Sequence, residues 1–457
     1  MHAQRSSRAI RGLALVSAIA AFALSACGNS TDASGSNASS KSTTTTSVAT
    51  SSVASAAVPG VTNDEIRFAA IGTGPGNPLG TCVLQCFVDG VKAYFAYRNA
   101  SGGVDGRKLV VTKVLDDQIS QNQARSLEVI SANDTFATFD AALLADGFAD
   151  LAKAGIPNYT WAINFKEMTG QDSIFGNVGV VCASCVERSP AYAAQLAHAK
   201  KIAVIGYGAS QVSKDCVTGG AHSIQRFSPQ TGQKVVYTND NLQFGLPNGI
   251  GPEVTAMKNA GVDLIISCWE LNGAKTLEQE MERQGMGNVP QMSSNLYDQK
   301  FVANSGDLFD GDILRVPFRP FESAALGAIA NYKTWMAKTG AQLSEVSMYG
   351  WINADLAYQG IKAAGPRLDR ASVIAATNKM TKYSADGLVN PIDWSRQHVA
   401  PTDADPVTHG PAKECYSFVR VDKGKFVFIG DPKKPFMCWP VTDPLKWGQP
   451  VATDVAS

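Results

Sequence analysis

The chain has 457 residues, an ordinary hydrophobic content of 45%, and 40 basic against 40 acidic side chains, for a formal net charge of zero. That balance supplies no basic field for nucleic acid and no polybasic face for a membrane surface. Past its N-terminal leader the chain is long enough for two domains, and none of its later apolar runs could span a bilayer.

The leader carries Arg5, Arg8 and Arg11 and no acid, followed by an apolar run at 13–24. That run has the length of a signal-peptide core and is short for a membrane span. Leu24-Ser25-Ala26 before Cys27 resembles the lipobox of bacterial lipoproteins. The resemblance implies cleavage after residue 26 and acylation of Cys27; the alternative is an ordinary signal peptide with a chance cysteine. Residues 28–57 are almost all Ser, Thr, Ala, Asn and Gly. Such a segment buries too little apolar area to offset its ordering entropy, so 27–57 is expected to be a flexible tether. One acyl chain holds weakly, so stable anchoring implies more than one.

From Asp64 short apolar strands alternate with amphipathic helices. A strand is expected at 66–71, then a helix at 87–97 with Phe87, Val91, Tyr94 and Phe95 on one face, stopped by Gly102-Gly103. A strand at 109–115 ends on Asp116-Asp117. Ala124, Leu127 and Ile130 mark the next helix, and strands follow at 136–139 and 156–160. After Cys182 the rhythm restarts, with a helix at 190–199 and strands at 202–206 and 235–237. The helix at 252–260 has Pro252 at its start, Glu253 in its first turn, Lys258 in its last and Gly261 beyond. A strand at 262–268, a helix at 274–284 and a strand at 290–293 complete this series. Strands alternating with helices imply parallel sheets covered on both faces, and two such series imply two α/β lobes. Helices are expected at 328–337, 352–363 and 372–380. After Trp394 the chain is loop-rich, then forms a hairpin of 416–421 and 426–430.

Besides Cys27 there are eight cysteines, an even number in a chain with an export leader, so disulfides are the default. Cys415 and Cys438 flank the hairpin and are expected to pair. Cys82, Cys86, Cys182, Cys185, Cys216 and Cys268 are further candidates without assigned connectivity. "CASC" at 182–185 has thioredoxin-type spacing, but no thioredoxin-like pattern surrounds it, and a structural disulfide is expected. None of the five histidines stands at metal-site spacing from these cysteines.

"GVTNDEIRFAAIG" (60–72), "YRNASGGVDGRKLVV" (97–111), Asp116-Asp117 and "AGIP" (154–157) follow one another in that order. With "GVDLIIS" (261–267) and "WINADLAYQGIKAAG" (351–365), this ordered set resembles the type I periplasmic binding proteins, the branched-chain amino acid receptor family of ABC importers, from about residue 60 to 430. The resemblance implies an α/β fold of two Rossmann-like lobes with parallel sheets, joined by three hinge crossovers, with a ligand held in the cleft between them. Its expected layout is a signal peptide at 1–26, a tether at 27–57, lobe one from 58–180 and 317–400, lobe two from 181–316 and 401–445, and a tail at 446–457.

In amino-acid-binding members, hydroxyls at two lobe-one strand ends and an acid in lobe two hold the ligand's carboxylate and ammonium. The matching positions here are Asp140-Ala141, Ala162-Ile163-Asn164 and Asn295. Neither hydroxyl nor the acid is retained, which argues against a plain Leu/Ile/Val ligand. Trp351 keeps the aromatic character of a late-helix position, and Trp161, Trp269 and Tyr297 stand near other strand ends; each is either a cleft residue or core. Asp140 is either a ligand contact or a cap for the following helix, and Glu270 has the same two readings. "GTGPGNPLG" (72–80) lacks dinucleotide-loop spacing and fits a cleft loop, with Gly74 and Pro75 touching the ligand.

The sequence carries no nucleophile elbow, phosphate loop or paired-His motif. The expected protein is therefore a non-catalytic, cofactor-free, metal-free solute-binding lipoprotein on the extracytoplasmic face of the membrane. Its partners would be a small organic ligand (an amino acid, amide, or organic or aromatic acid) and the permease subunits of an ABC transporter, with no nucleic acid, and it would act as a monomer. A ligand sensor feeding a signalling partner, or an envelope redox or hydrolytic enzyme, are the alternatives.

Overall fold

The computed structural model describes residues 57–455 apart from 78–79, 162–164, 180, 294, 325–326, 367, 401–412 and 441–445. The leader, Cys27 and the tether lie outside the described residues.

The first series comprises β1 (Glu65–Gly72), α1 (Leu84–Asn99), β2 (Lys108–Asp116), α2 (Asn122–Ala132), β3 (Ala137–Ala141), α3 (Phe148–Lys153), β4 (Asn158–Thr160), α4 (Phe165–Met168) and β5 (Ile174–Gly176). Its strands form one parallel sheet in the order β2-β1-β3-β4-β5. The central strands are apolar on both faces, as a sheet covered on both sides requires.

The second series comprises α5 (Ser189–Leu196), β6 (Lys201–Tyr207), α6 (Gln211–Thr231), β7 (Lys234–Leu242), α7 (Gly251–Ala260), β8 (Leu264–Cys268), α8 (Leu271–Arg283), β9 (Gln291–Ser293), α9 (Gln299–Asn304) and β10 (Ile313–Val316). The chain then returns to the first sheet with α10 (Gly327–Thr339) and α11 (Glu345–Ala364), which pack on α1, and α12 (Arg370–Thr377), which packs on α11. It crosses back for β11 (Lys413–Asp422), β12 (Lys425–Phe428), β13 (Phe436–Pro440) and β14 (Val451–Thr453). The second sheet runs β14-β13-β11-β10-β9-β8-β6-β7, with β12 on β11. Its β7-to-β10 part is parallel, and β11, β12, β13 and β14 extend it antiparallel. The result is two α/β lobes between which the chain passes three times.

The four residues expected on one face of α1 are all buried. Phe87 and Phe95 pack on the sheet against Phe139, and beside them α1 and α11 come into backbone contact at a pair of glycines. A Cβ on Gly90 would lie 1.9 Å from the Ser347 carbonyl oxygen, and one on Gly350 would lie 2.0 Å from that of Phe87.

Several expectations are corrected. α2 buries Asn122, Ser126 and Val129, whereas Leu127 is 48% exposed. The helix is seated by a polar contact: the Asn122 amide donates to Asp140 at 3.1–3.2 Å and its oxygen accepts the Gly147 N–H at 2.9 Å. α6, a helix of 21 residues, has no counterpart in the sequence expectation, nor do β10 and α9.

All eight described cysteines are paired: Cys82–Cys86, Cys182–Cys185, Cys216–Cys268 and Cys415–Cys438. Cys415 and Cys438 face each other across the β11–β13 pair rather than across the β11–β12 hairpin.

Candidate functional site

A cavity of about 270 Å³ is walled by the carboxyl ends of strands from both sheets. The first sheet contributes Ala142 and Leu143 after β3 and Trp161 after β4, with Thr81 and Cys82 ahead of α1. The second contributes Tyr207 at the end of β6, Phe244 after β7, Trp269 and Glu270 after β8, and Asn295 and Tyr297 after β9. Strand ends are where open α/β sheets leave a crevice, because the helices that follow splay apart there.

The wall on the second-sheet side is a continuous aromatic surface. The ring of Tyr207 lies 5.2 Å from that of Phe244 and 5.7 Å from that of Trp269. Beneath it, Ser213 accepts the Tyr207 N–H at 2.7 Å and donates to the Cys268 carbonyl at 2.6 Å, tying α6 to β6 and β8. The Cys216–Cys268 disulfide repeats that tie covalently.

Glu270 is 8% exposed and caps α8, its Oε1 accepting the Gly273 N–H at 3.0 Å. The same oxygen accepts the Tyr207 hydroxyl at 2.9 Å. Residue 273 has to be small for this: a Cβ there would sit 2.4 Å from the Tyr207 hydroxyl. Burial pushes the Glu270 carboxyl above the usual carboxylate range. Two more acids line the cavity. Asp298 caps α9 through the Phe301 N–H at 2.9 Å and accepts the Gln342 amide at 2.8–3.0 Å; its carboxyl is also raised by burial. Glu345 accepts the Tyr349 hydroxyl, and burial pushes it up to about 8. One guanidinium, Arg315, is present. It is paired with Glu187, donates to Ser189 at 3.0 Å and lies 4.6 Å from the centre of the Tyr416 ring.

Three lining residues carry polar atoms that are shut off from solvent and have no hydrogen-bond partner: the Thr81 hydroxyl, the Ser267 hydroxyl and the Trp269 indole N–H. Such groups are costly when unpaired, so a ligand's polar atoms are the natural complement.

Of the residues expected to touch ligand, the structure brings Trp161, Trp269, Asn295 and Tyr297 together on the cavity wall. Asn295 donates to the Trp269 carbonyl at 3.2 Å, and the Tyr297 hydroxyl accepts the Phe321 N–H at 2.6 Å. Ala162 and Asn164 lie outside the described residues. The remaining candidates stand elsewhere. Gly74 donates its N–H to Asp116 at 2.9 Å, and Pro75 is exposed. Asp140 is wholly buried against Asn122 and caps no helix, and its carboxyl is held well above the usual range by burial. Ala141 ends β3 just short of the lining residues Ala142 and Leu143. Trp351 is a core residue, 5.0 Å from Tyr94 and 5.5 Å from Tyr332, ring to ring. Tyr207, Phe244, Arg315 and Glu345 were not singled out from sequence. The strand-end rule that selects Trp269 also selects Tyr207, which closes "KIAVIGY" (201–207).

The comparisons agree with this architecture. The fatty acid ABC transporter substrate-binding protein from Thermomonospora curvata superposes with a TM-score of 0.62 at 18% identity, over 87% of this chain and 97% of that one. A solute-binding protein of an ABC transporter from R. palustris, in complex with 4-hydroxybenzoate, gives 0.62 at 19% identity, over 80% and 96%. The branched-chain amino acid transporter substrate-binding protein from Streptococcus pneumoniae, in complex with isoleucine, gives 0.62 at 16%, over 79% and 98%. No curated protein matches the sequence. The profile described as "Periplasmic binding protein" matches residues 66–425, a span that includes every described residue lining the cavity, and the chain therefore belongs to the periplasmic binding protein family.

Proposed function

We propose that the chain is the extracytoplasmic solute-binding lipoprotein of an ABC importer, taking a small organic ligand (an amino acid, amide, or organic or aromatic acid) into the cavity between its lobes and presenting it to a membrane permease. The observation that carries this reading is the cavity itself. It has an apolar, aromatic lining with a few convergent polar atoms that lack partners within the protein. Similar structures are named for ABC transport and hold 4-hydroxybenzoate or isoleucine. In this reading lobe one is 58–180 with 317–400 and lobe two is 181–316 with 401–445. The lobes close on the ligand by a hinge motion.

Thermal unfolding against a panel of branched-chain and aromatic amino acids, amides and short organic and aromatic acids tests it. A bound solute at a thousandfold excess over its Kd is expected to add about 4 kcal/mol by mass action, a shift of several degrees. A flat panel counts against capture of a small solute.

The anchor is tested separately. The protein is expected to sediment with the membrane fraction, and Cys27→Ala is expected to release it to the soluble fraction. Retention of the variant on the membrane would rule out lipidation at Cys27 as the tie.

A further inference from the structure

We propose that the ligand is a protonated amine on an apolar or aromatic body, with Glu270 as its counter-charge. This rests on the solute-binding reading above and names the substrate class within it.

The charged side chains that line the cavity differ in what already holds them. Arg315 is already held by Glu187, Ser189 and the face of Tyr416, and no lysine or histidine is among the described lining residues. Two of the three acids are also committed. Both oxygens of Asp298 take the Gln342 amide and one takes a main-chain N–H, and Glu345, bonded to Tyr349 and pushed by burial up to about 8, keeps its proton at neutral pH. Glu270 differs. The hydrogen bonds from Tyr207 and from the Gly273 N–H both fall on Oε1, and no other described residue is bonded to Oε2, which faces the cavity for a ligand. Its partner Tyr207 packs against the rings of Phe244 and Trp269, and aromatic faces attract a cation once water is removed. An ammonium beside Glu270 restores to the carboxylate the stabilisation it lost on burial.

A second observation points to a ligand at the same place. Trp269 and Ser267 are each 3% exposed, line the cavity, and flank the end of β8 that leads into Glu270. Their indole N–H and hydroxyl are unpaired. A hydroxyl or ether oxygen on the ligand body would satisfy them without adding charge.

An anion finds little here. Helix N-termini are the usual carboxylate cradles, but those of α6, α8 and α11 are already capped by Ser210, Glu270 and Ser344. The start of α1, beside Thr81 and Cys82, lacks a side-chain cap. A carboxylate is therefore the competing probe.

The test is calorimetric titration of the protein with 2-phenylethylamine and 3-phenylpropanoate, which share a body and differ in charge. The amine is expected to bind at least tenfold more tightly than the acid. Glu270→Gln, which keeps an oxygen for Gly273 and Tyr207, is expected to lose at least tenfold in amine affinity with its unliganded melting temperature near wild type. Equal or tighter binding of the acid overturns the proposal, and so does undiminished amine binding by the variant. The wild-type comparison stands even if the variant fails to fold. If neither probe binds while an amino acid or amide of the wider panel does, the amine class falls and solute capture survives. If no solute binds at all, both fall.

Discussion

Replacing Cys216 and Cys268 together with alanine is expected to cost about 4 kcal/mol of folding stability. The bridge closes a loop of 52 residues, and in the chain-entropy account the stabilisation grows with the logarithm of loop length. On the same account Cys182–Cys185 and Cys82–Cys86, separated by three and four residues, contribute only about 2 kcal/mol each. The long bridge also carries a functional load. Cys216 lies in the second turn of α6 and Cys268 ends β8, and both line the cavity. Without the bridge the Ser213 hydrogen bonds and the apolar packing of α6 are left to hold it against the strand ends that carry Tyr207 and Trp269. Ligand affinity is therefore expected to fall along with stability. Denaturant unfolding of the double variant measures the first effect and titration measures the second. A denaturation midpoint unchanged from wild type, at unchanged slope, would sink the stability argument.

The same α6 shows why part of the fold was hidden in the sequence. The segment 211–231 is polar, contains Gly219-Gly220 and carries Pro229, each of which argues against a long helix. Tertiary contacts supply the reason for the glycines. A Cβ on Gly219 would lie 2.0 Å from the Ala183 carbonyl oxygen, and one on Gly220 would lie 3.1 Å from Val204. The residues that weaken the helix locally are the ones that let the crossover segment and the sheet pack against it. β1, β8 and α7 were legible because their own residues specify them, through unbroken apolar runs or a proline start with a glycine stop.

The site divides along a similar line. Trp161, Trp269 and Tyr297 could be found because a parallel α/β sheet puts its crevice at strand ends, and strand ends can be read from sequence. Which neighbour of a strand end faces the crevice depends on register and twist. Hence Ala142 and Leu143 line the cavity, whereas Asp140 and Ala141 belong to β3. Trp351 could not be placed from its own helix. Its burial is decided by Tyr94 on α1 and Tyr332 on α10, which are distant in sequence. Of the two sequence readings of Glu270, the helix cap is the one observed, at the start of α8, and the same side chain lines the cavity where the ligand reading would place it.

Glu345 predicts a pH dependence of stability with a definite sign. Its carboxyl is raised from the usual 4.5 to about 8, with burial the largest cause and the Tyr349 hydrogen bond and the Arg315 charge opposing it. Between those two values the unfolded chain has released the proton and the folded chain still holds it. The folded state binds more protons, so stability falls as pH rises. The full contribution is present below about pH 4.5 and is lost as pH passes 8. At about 1.4 kcal/mol per pH unit, the loss through this one group approaches 4–5 kcal/mol by pH 9. Glu278, also raised to about 8 by burial, adds to the same slope, so the wild-type curve alone does not isolate Glu345. Glu345→Gln does: glutamine keeps an oxygen for the Tyr349 hydroxyl and cannot ionise. The variant is expected to match wild type near pH 5 and to be the more stable protein at pH 8–9, with a shallower slope between. Superimposable curves of stability against pH would show that Glu345 ionises in the folded chain as it does in the unfolded one. In that case Glu345 would add its own negative charge to the cavity wall at neutral pH, and the preference for a cationic ligand would no longer depend on Glu270 alone.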